Sequence, residues 1–251
     1  MNSGSFVKTA MLVCGVIFSS NVMSQSIFPK YELGIYGGTF IYQGDLTPSP
    51  IGSYRFITPS FQISVAKLLD ENFAIRANFN RGDINGDDSR YATPNWRRLR
   101  NFSFNTSITE LSGSLVWNFY TYTPNGTKRK LSTYFFGGAG ISFLNIKRNW
   151  SRIDTTVFNS KTVVLAGLAK DTLHRLPAVI PVIPVGVGIR YALNNQLSIA
   201  AELTYRITFT DYLDGFSKSA DPTHNDYYYG YNIGLIYTIE RNVLKCPRFK
   251  N

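Results

Sequence analysis

The chain is poor in cysteine and histidine, and beyond its first two dozen residues it has no long apolar run. Only Cys14 and Cys246 are cysteines among 251 residues. Cys14 lies inside an N-terminal apolar stretch and follows Val13, where a lipoprotein signal would need a small residue, so lipid attachment there is not expected. If that stretch is cleaved, one cysteine remains, which excludes an intramolecular disulfide and a cysteine metal cluster. His174 and His224 are the only histidines. No apolar run of about 18 residues or more follows residue 25, which excludes a helical membrane protein. Charged residues make up 17% and hydrophobic ones 44%, too apolar a balance for a disordered chain.

Residues 1–24 read as a secretory signal. Lys8 supplies the basic region, Thr9 to Phe18 the apolar core, and Val22-Met23-Ser24 a cleavage site ahead of Gln25. The apolar core is about half the length that a membrane helix needs. The formal charge of +10 and a pI near 9.6 would suggest nucleic acid for a cytosolic chain. For an exported one the expected partners are lipopolysaccharide, other outer-membrane lipid or an acidic protein, and no nucleic acid. Aromatic residues are abundant at 15%, with 16 Tyr and 18 Phe; such residues favour strands and gather at membrane interfaces.

The stretch Leu197 to Asp214 sets the pattern. Leu197, Ile199, Ala201, Leu203, Tyr205, Ile207 and Phe209 alternate with small or polar residues, and a period of two is a strand signal. Glu202 and Arg206 fall on the polar face in mid-strand; a soluble sandwich would turn that face to water and bury the aromatic one, whereas a barrel in lipid is greasy outside and polar within. The same alternation recurs in segments at about 31–43, 55–69, 73–80, 106–121, 131–147, 179–193 and 227–239. Eight antiparallel segments, greasy on one face and polar on the other, predict an eight-stranded up-and-down transmembrane β-barrel over residues 25–239 with a filled polar interior. Ile41 is expected to face lipid. In the sixth segment Pro181 and Pro184 would delete ladder bonds, so regular pairing is expected only from about Val185.

Six inward charges follow from the faces: Glu32, Arg76, Glu110, Arg190, Glu202 and Arg206, three of each sign. An isolated charge in such an interior costs several kcal/mol, so the balance predicts a paired network and no conducting pore. Connections alternate short (about 70–72, 123–130, 194–196) and long (about 44–54, 83–105, 148–178, 211–226), which places the short ones and both chain ends in the periplasm. A basic periplasmic tail, residues 240–251, would follow the barrel. Lys128, Arg129, Lys130, Arg241, Lys245 and Arg248, together with Lys250, are then candidate contacts for an acidic periplasmic partner.

Other candidate sites lie in the long connections. His174 or His224, with a serine and Asp211 or Asp226, would suit a lipid-modifying hydrolase, against the plainer reading of loop histidines in solvent. Asp83 to Asp88 is spaced faintly like a calcium loop but lacks the terminal bidentate Glu; the plainer reading is a solvated acidic loop tip. Arg97, Arg98 and Arg100 could hold lipopolysaccharide phosphates, or pack back over the barrel mouth. Asp211-Tyr212-Leu213-Asp214 reads best as a turn that fixes how the strand leaves the barrel. No cofactor motif is present, and none is expected.

Tyr31-Glu32-Leu33-Gly34 with Gly37-Gly38 and Gly44-Asp45-Leu46, Arg100-Asn101-Phe102-Ser103-Phe104, Phe136-Gly137-Gly138-Ala139-Gly140 and Thr208-Phe209-Thr210-Asp211-Tyr212-Leu213-Asp214 together resemble the PorG-like barrel family of Bacteroidetes outer membranes. The likeness covers essentially the whole mature chain, and Thr210, Asp211, Tyr212, Leu213 and Asp214 form its most distinctive part. It implies an integral outer-membrane component of the type IX secretion system, in contact with a periplasmic ring of a lipoprotein and its soluble partner. It brings no catalytic residues. Two other roles remain open: an OmpA-like envelope or adhesion barrel acting through external loops, and the lipid-modifying enzyme.

Overall fold

The computed structural model describes residues 31–49, 51–119, 130–158, 162–220 and 225–239. The expected signal and basic tail lie outside these residues, as do Lys128, Arg129, His224, Arg241, Lys245, Arg248 and Lys250.

Eight strands close on themselves in sequence order: β1 (Tyr31–Gln43), β2 (Thr58–Leu68), β3 (Phe73–Asp87), β4 (Ser103–Phe119), β5 (Leu131–Asn149), β6 (Val179–Ala192), β7 (Leu197–Thr208) and β8 (Tyr227–Ile239). Every neighbouring pair is antiparallel, and β8 completes the ring against β1 from Tyr31↔Ile239 to Gln43↔Tyr227. Closure leaves no edge, as a hydrocarbon layer requires of a sheet that crosses it. Among the described residues, two short α-helices sit in the long connections, α1 (Asn95–Arg100) and α2 (Val163–Leu173).

The exposed surface carries a greasy belt bounded by two aromatic girdles. Toward the end with the short turns lie Tyr31, Phe73, Trp117, Phe119, Phe135, Tyr191 and Tyr237; toward the other end lie Phe61, Phe79, Phe143, Phe209 and Tyr231, all exposed. Between them Ile35, Ile63, Ile75, Leu115, Ile141, Val185, Leu203 and Ile233 also point outward. Aromatic rings at both margins of an apolar band, around a polar interior, are the marks of an outer-membrane barrel, and this protein is one. In barrels of this class the short turns lie on the periplasmic side.

Three expectations change. Pairing in β6 reaches Val179, not only Val185. Pro181 opposes Ile141, and the ladder to β5 lapses only where Ile183 and Pro184 would face Ala139 and Gly138. On the other side the register with β7 runs unbroken from Val182 to Ala192, so the missing proline donors cost isolated bonds and not the strand. Ile41 points outward yet is only 1% exposed, because the chain after β1 folds back over the barrel wall. Tyr229 there donates to the Ile51 carbonyl at 2.7 Å, and the Tyr54 and Tyr231 hydroxyls meet at 3.3 Å. Gly52 lies too close to the Tyr42 carbonyl for a side chain and has φ +83°, a conformation suited to glycine.

The third change concerns residues 83–105, expected to be loop. β3 continues through Asp87 and β4 begins at Ser103, paired from Gly82↔Ile108 to Asp87↔Ser103. Here the alternation reverses. Asp83, Asn85, Asn105 and Ser107 face out, while Ile84, Phe104 and Ile108 are buried inside. Above the outer girdle the wall is polar outside and apolar within.

Candidate functional site: the barrel interior and its outer mouth

Within the belt, the six inward charges form three ion pairs at successive levels. Nearest the short turns, Arg190 forks onto Glu32 with bonds of 2.7 and 2.9 Å. At mid-height the Arg76 guanidinium meets Glu202 at 2.5 Å, and Glu202 also accepts from Tyr134 at 2.7 Å and Gln62 at 3.3 Å. Highest, Arg206 Nε reaches Glu110 at 2.6 Å, with Asn80, Ser112 and Tyr228 donating to the same carboxylate. Aromatic faces cover the cations: Phe136 lies 4.3 Å from the Arg76 guanidinium, and Phe40 lies 4.7 Å from that of Arg206. Multiple donors on each carboxylate are what an ion pair needs to offset its desolvation.

Spacing along β7 builds this ladder. Glu202 and Arg206 are four residues apart, so they share the inward face about two pleats from each other. Small inward residues leave room for the long ones. Gly188 sits directly against the Tyr134 ring, and Gly234 against Tyr36, where an added Cβ would fall 2.2 and 2.5 Å from ring atoms.

Above the ladder the interior becomes a hydrophobic core. Phe40, Tyr42, Leu46, Ile84, Phe102, Phe104, Ile108, Leu144, Leu168, Ile180, Leu213, Phe216 and Tyr228 form one buried cluster. Phe102 stacks on Phe216 at 4.4 Å with the rings nearly parallel. All four long connections contribute residues to it, Leu46, Phe102, Leu168, and Leu213 with Phe216, so they form a folded cap that plugs the mouth.

Carboxylates hold the cap. Asp88 is fully buried and accepts from Arg100 at 2.6 and 3.1 Å, from Arg97 at 3.3 Å and from the Phe102 amide. Arg97 also donates to the Asp45 and Thr47 carbonyls. The basic cluster therefore ties loops together: Arg97 and Arg100 point inward, and Arg98 is exposed. The faint calcium spacing fails for the same reason, since Asp83 and Asp87 lie on a strand and Asp88 is occupied by two arginines.

In α2, Asp171 is fully buried and gathers the Ser217, Lys218 and Ser219 amides and the Ser219 and Tyr212 hydroxyls. Burial alone would raise its pKa, but the bonds from Ser219, Lys218 and Ser217 prevail and hold it below the ordinary aspartate range. Gly167 of the same helix lies against the Lys218 carbonyl, leaving no room for a Cβ.

The distinctive run after β7 is part of this cap. The Thr210 hydroxyl accepts from the Tyr212 amide and the Thr210 carbonyl from the Asp226 amide. Leu213 is wholly buried, and its carbonyl accepts from Thr106. Asp214 accepts from the Phe216 amide at 2.8 Å and contacts the Tyr42 hydroxyl at 2.9 Å. Asp226 meets the same hydroxyl at 2.5 Å and accepts from the Leu213 amide. Carboxylate oxygens of Asp45, Asp211 and Asp226 lie within 4.8 Å of one another. Alternation could not reveal this meeting, because Tyr42, Asp45, Asp214 and Asp226 come from segments far apart in sequence. His174 stacks on Tyr212 at 4.2 Å, an apolar use of its ring. Lys130, at the foot of β5, is exposed.

A family model described as a domain of unknown function (DUF6089) matches residues 8–247. No curated protein matches the sequence. Among solved structures, the chain is similar to Ail, the attachment invasion locus protein of Yersinia pestis, at 10% identity and a TM-score of 0.44, over 84% of this chain and 99% of that one. Neisserial surface protein A is similar at 12% identity and a TM-score of 0.43, over 82% and 96%. A major outer membrane protein of Thermus thermophilus is similar at 14% identity and a TM-score of 0.43, over 83% and 99%.

Proposed function

The chain belongs to the DUF6089 family, whose function is unknown, and from that starting point we propose that it is a non-enzymatic barrel that anchors a protein secretion machine in the outer membrane. The observation that carries this reading is the occupied interior. Three ion pairs fill the belt and an apolar core fills the mouth, which suits a rigid fixture better than a conduit. The resemblance of Thr210 to Asp214 and its companion segments to PorG-like barrels supports the type IX secretion system as the machine and its periplasmic ring as the partner. The periplasmic face would offer the turns at 70–72 and 123–130 and the basic tail, with Lys128, Arg129, Lys130, Arg241, Lys245 and Arg248 meeting acidic patches.

The test is isolation of the native membrane complex through a tag on this chain in mild detergent. Recovery of ring subunits, lost on reversing the charges at 128–130, is the expected result. Recovery of no secretion subunit from membranes in which the barrel is folded would overturn the reading. A second role is favoured by one observation: the cap is built as a folded unit and exposes Val163 and Leu173 of α2, at 81% and 89%. Under that reading the protein is an envelope or adhesion barrel acting outward. Substituting the exposed face of α2 would then abolish function and leave secretion intact.

A further inference from the structure

Tyr42 sits at the top of β1 between two carboxylates of the β7–β8 connection, with its hydroxyl 2.9 Å from Asp214 Oδ2 and 2.5 Å from Asp226 Oδ1. All three residues are at most 1% exposed. A phenol carries one hydrogen and can donate to only one of the two. If both carboxylates were ionised, the second contact would press two acceptor oxygens together in a dry site, at the cost of a buried unsatisfied charge. One more hydrogen resolves this: a protonated carboxyl donates to the Tyr42 oxygen, and Tyr42 donates to the other carboxylate.

The surrounding charges favour that proton. From the turn after β1 comes Asp45, and from the β7–β8 connection comes Asp211, both near Asp226. Among the described residues, Arg97 and Arg148 approach this cluster, and both are committed to backbone carbonyls or to another acid. Arg97 bonds the Asp45 and Thr47 carbonyls and Asp88; Arg148 of β5 bonds the Gly215 and Asp171 carbonyls. Burial raises the Asp214 carboxyl far above the ordinary aspartate range, with Asp226 and Asp45 adding to the shift; burial does the same for Asp226, with Asp45 and Asp211 adding.

We propose that the Asp214–Tyr42–Asp226 chain is a proton latch: it retains one dissociable proton at neutral pH, and that proton fastens the plug of the barrel mouth to the barrel wall. The fastening is direct. Asp226 accepts from the Leu213 amide and Asp214 from the Phe216 amide, and Leu213 and Phe216 are fully buried members of the cap core. Gly44 lies against Asp226 Oδ1 and the Tyr42 hydroxyl, where an added Cβ would fall 2.0 and 2.2 Å away, so the approach of the three groups needs a residue with no side chain there.

The sign follows from linkage. A carboxyl whose folded pKa is raised binds its proton more tightly when folded, so its contribution is fully present below the unfolded pKa. It is lost as pH rises through the folded value. The plug therefore loosens toward alkaline pH while the belt below it is unaffected.

The experiment uses the full chain folded in detergent micelles. Infrared spectra in deuterated buffer at neutral pH read the carbonyl band of a protonated carboxylic acid. Amide exchange, normalised for the intrinsic effect of pH, reads the cap. We expect the acid band in the native protein and its loss in the Asp214→Asn/Asp226→Asn variant, in which amides replace the shared proton. Protection of the Leu213 and Phe216 amides should fall about tenfold for each pH unit above the latch pKa, with the Val116 amide of the belt unchanged and the variant flat. Absence of the acid band from the native protein overturns the proposal, whether or not the variant folds. So does pH-independent protection of the native cap. A third overturning result is protection that calcium restores at alkaline pH and a chelator removes at neutral pH, which would show that a cation and not a proton closes the latch.

Discussion

The barrel has two interiors. Between the girdles the centre is ionic and the outside is oil; above the outer girdle the centre is oil and the outside is polar. Solvent accounts for both. Facing lipid, a strand gains nothing by hiding leucine, so apolar residues go outward and the enclosed space must be filled by side chains that satisfy one another. Facing water, the hydrophobic effect returns, and Ile84, Phe102, Leu213 and Phe216 pack inward as in any soluble domain. β3 and β4 cross this boundary without interruption. Odd residues of β3 face out throughout, and only the chemistry of each face changes, from Phe79 outside to Asp83 outside with Ile84 within.

Breaking the ionic interior should have the largest effect. Glu110→Ala strips the carboxylate from Arg206, which is 1% exposed, and leaves a buried cation. The expected loss is about 3–5 kcal/mol of barrel stability, measured by urea unfolding after refolding in detergent. Glu110→Leu combined with Arg206→Met should recover most of it, because removing both charges removes the desolvation cost as well. If the pair were as damaging as the single change, the ladder would be holding the barrel by more than mutual neutralisation.

Breaking the apolar interior should be nearly as costly but local. Phe216→Ala deletes a fully buried ring stacked on Phe102, worth about 3 kcal/mol. The loss should appear as faster exchange of cap amides at an unchanged unfolding midpoint for the belt. A parallel fall of both would mean that cap and belt unfold as one unit.

The lipid face comes next. Leu203, at the middle of β7 and 39% exposed, points into the belt. Leu203→Arg should cost about 2–4 kcal/mol, read in the same unfolding titration in lipid vesicles. A value near zero would place Leu203 in water and remove the membrane assignment.

The lower interior was legible in the sequence because a period of two assigns every residue a face. Glu32, Arg76, Glu110, Arg190, Glu202 and Arg206 all fall inside on that rule alone, though nothing local says which acid meets which base. The cap was not legible. Ile84 sits among Asp83, Asn85, Asp87 and Asp88, and a strand whose polar face is outward in water reads as a loop when the rest of the chain follows the lipid rule. Asp88 with Arg100, and Tyr42 with Asp226, join residues that no regular spacing brings together. Pro181 and Pro184 misled in the other direction, since a closed barrel tolerates single missing ladder bonds.

Asp171 offers a smaller and pH-dependent effect. Asp171→Asn keeps the size but weakens the acceptor of three amides and two hydroxyls, at about 1–3 kcal/mol in the cap. Its folded pKa is depressed, so its contribution is present above the unfolded aspartate value and is lost as pH falls through the folded one. Exchange at the Lys218 and Ser219 amides should therefore quicken in acid for the native protein and lose that dependence in the variant. The same connection would then be released by acid at Ser219 and by alkali at Phe216.

The smallest effect tests the boundary itself. Leu173 is 89% exposed, more than twice as much as Leu203, and a ranking by accessible area alone would make it the more sensitive position to a change of polarity. It ends α2 in the cap, on the water side of the outer girdle, where a lone exposed leucine has little to lose. Leu173→Arg should shift stability by no more than about 0.5 kcal/mol in the vesicle titration used for Leu203→Arg. Identical chemistry at two exposed leucines then yields a cost at one and none at the other, and the only difference between them is the solvent. Comparable costs at both would mean that α2 lies on the outer leaflet, and that the belt reaches higher on this side of the barrel than Phe143 and Val179.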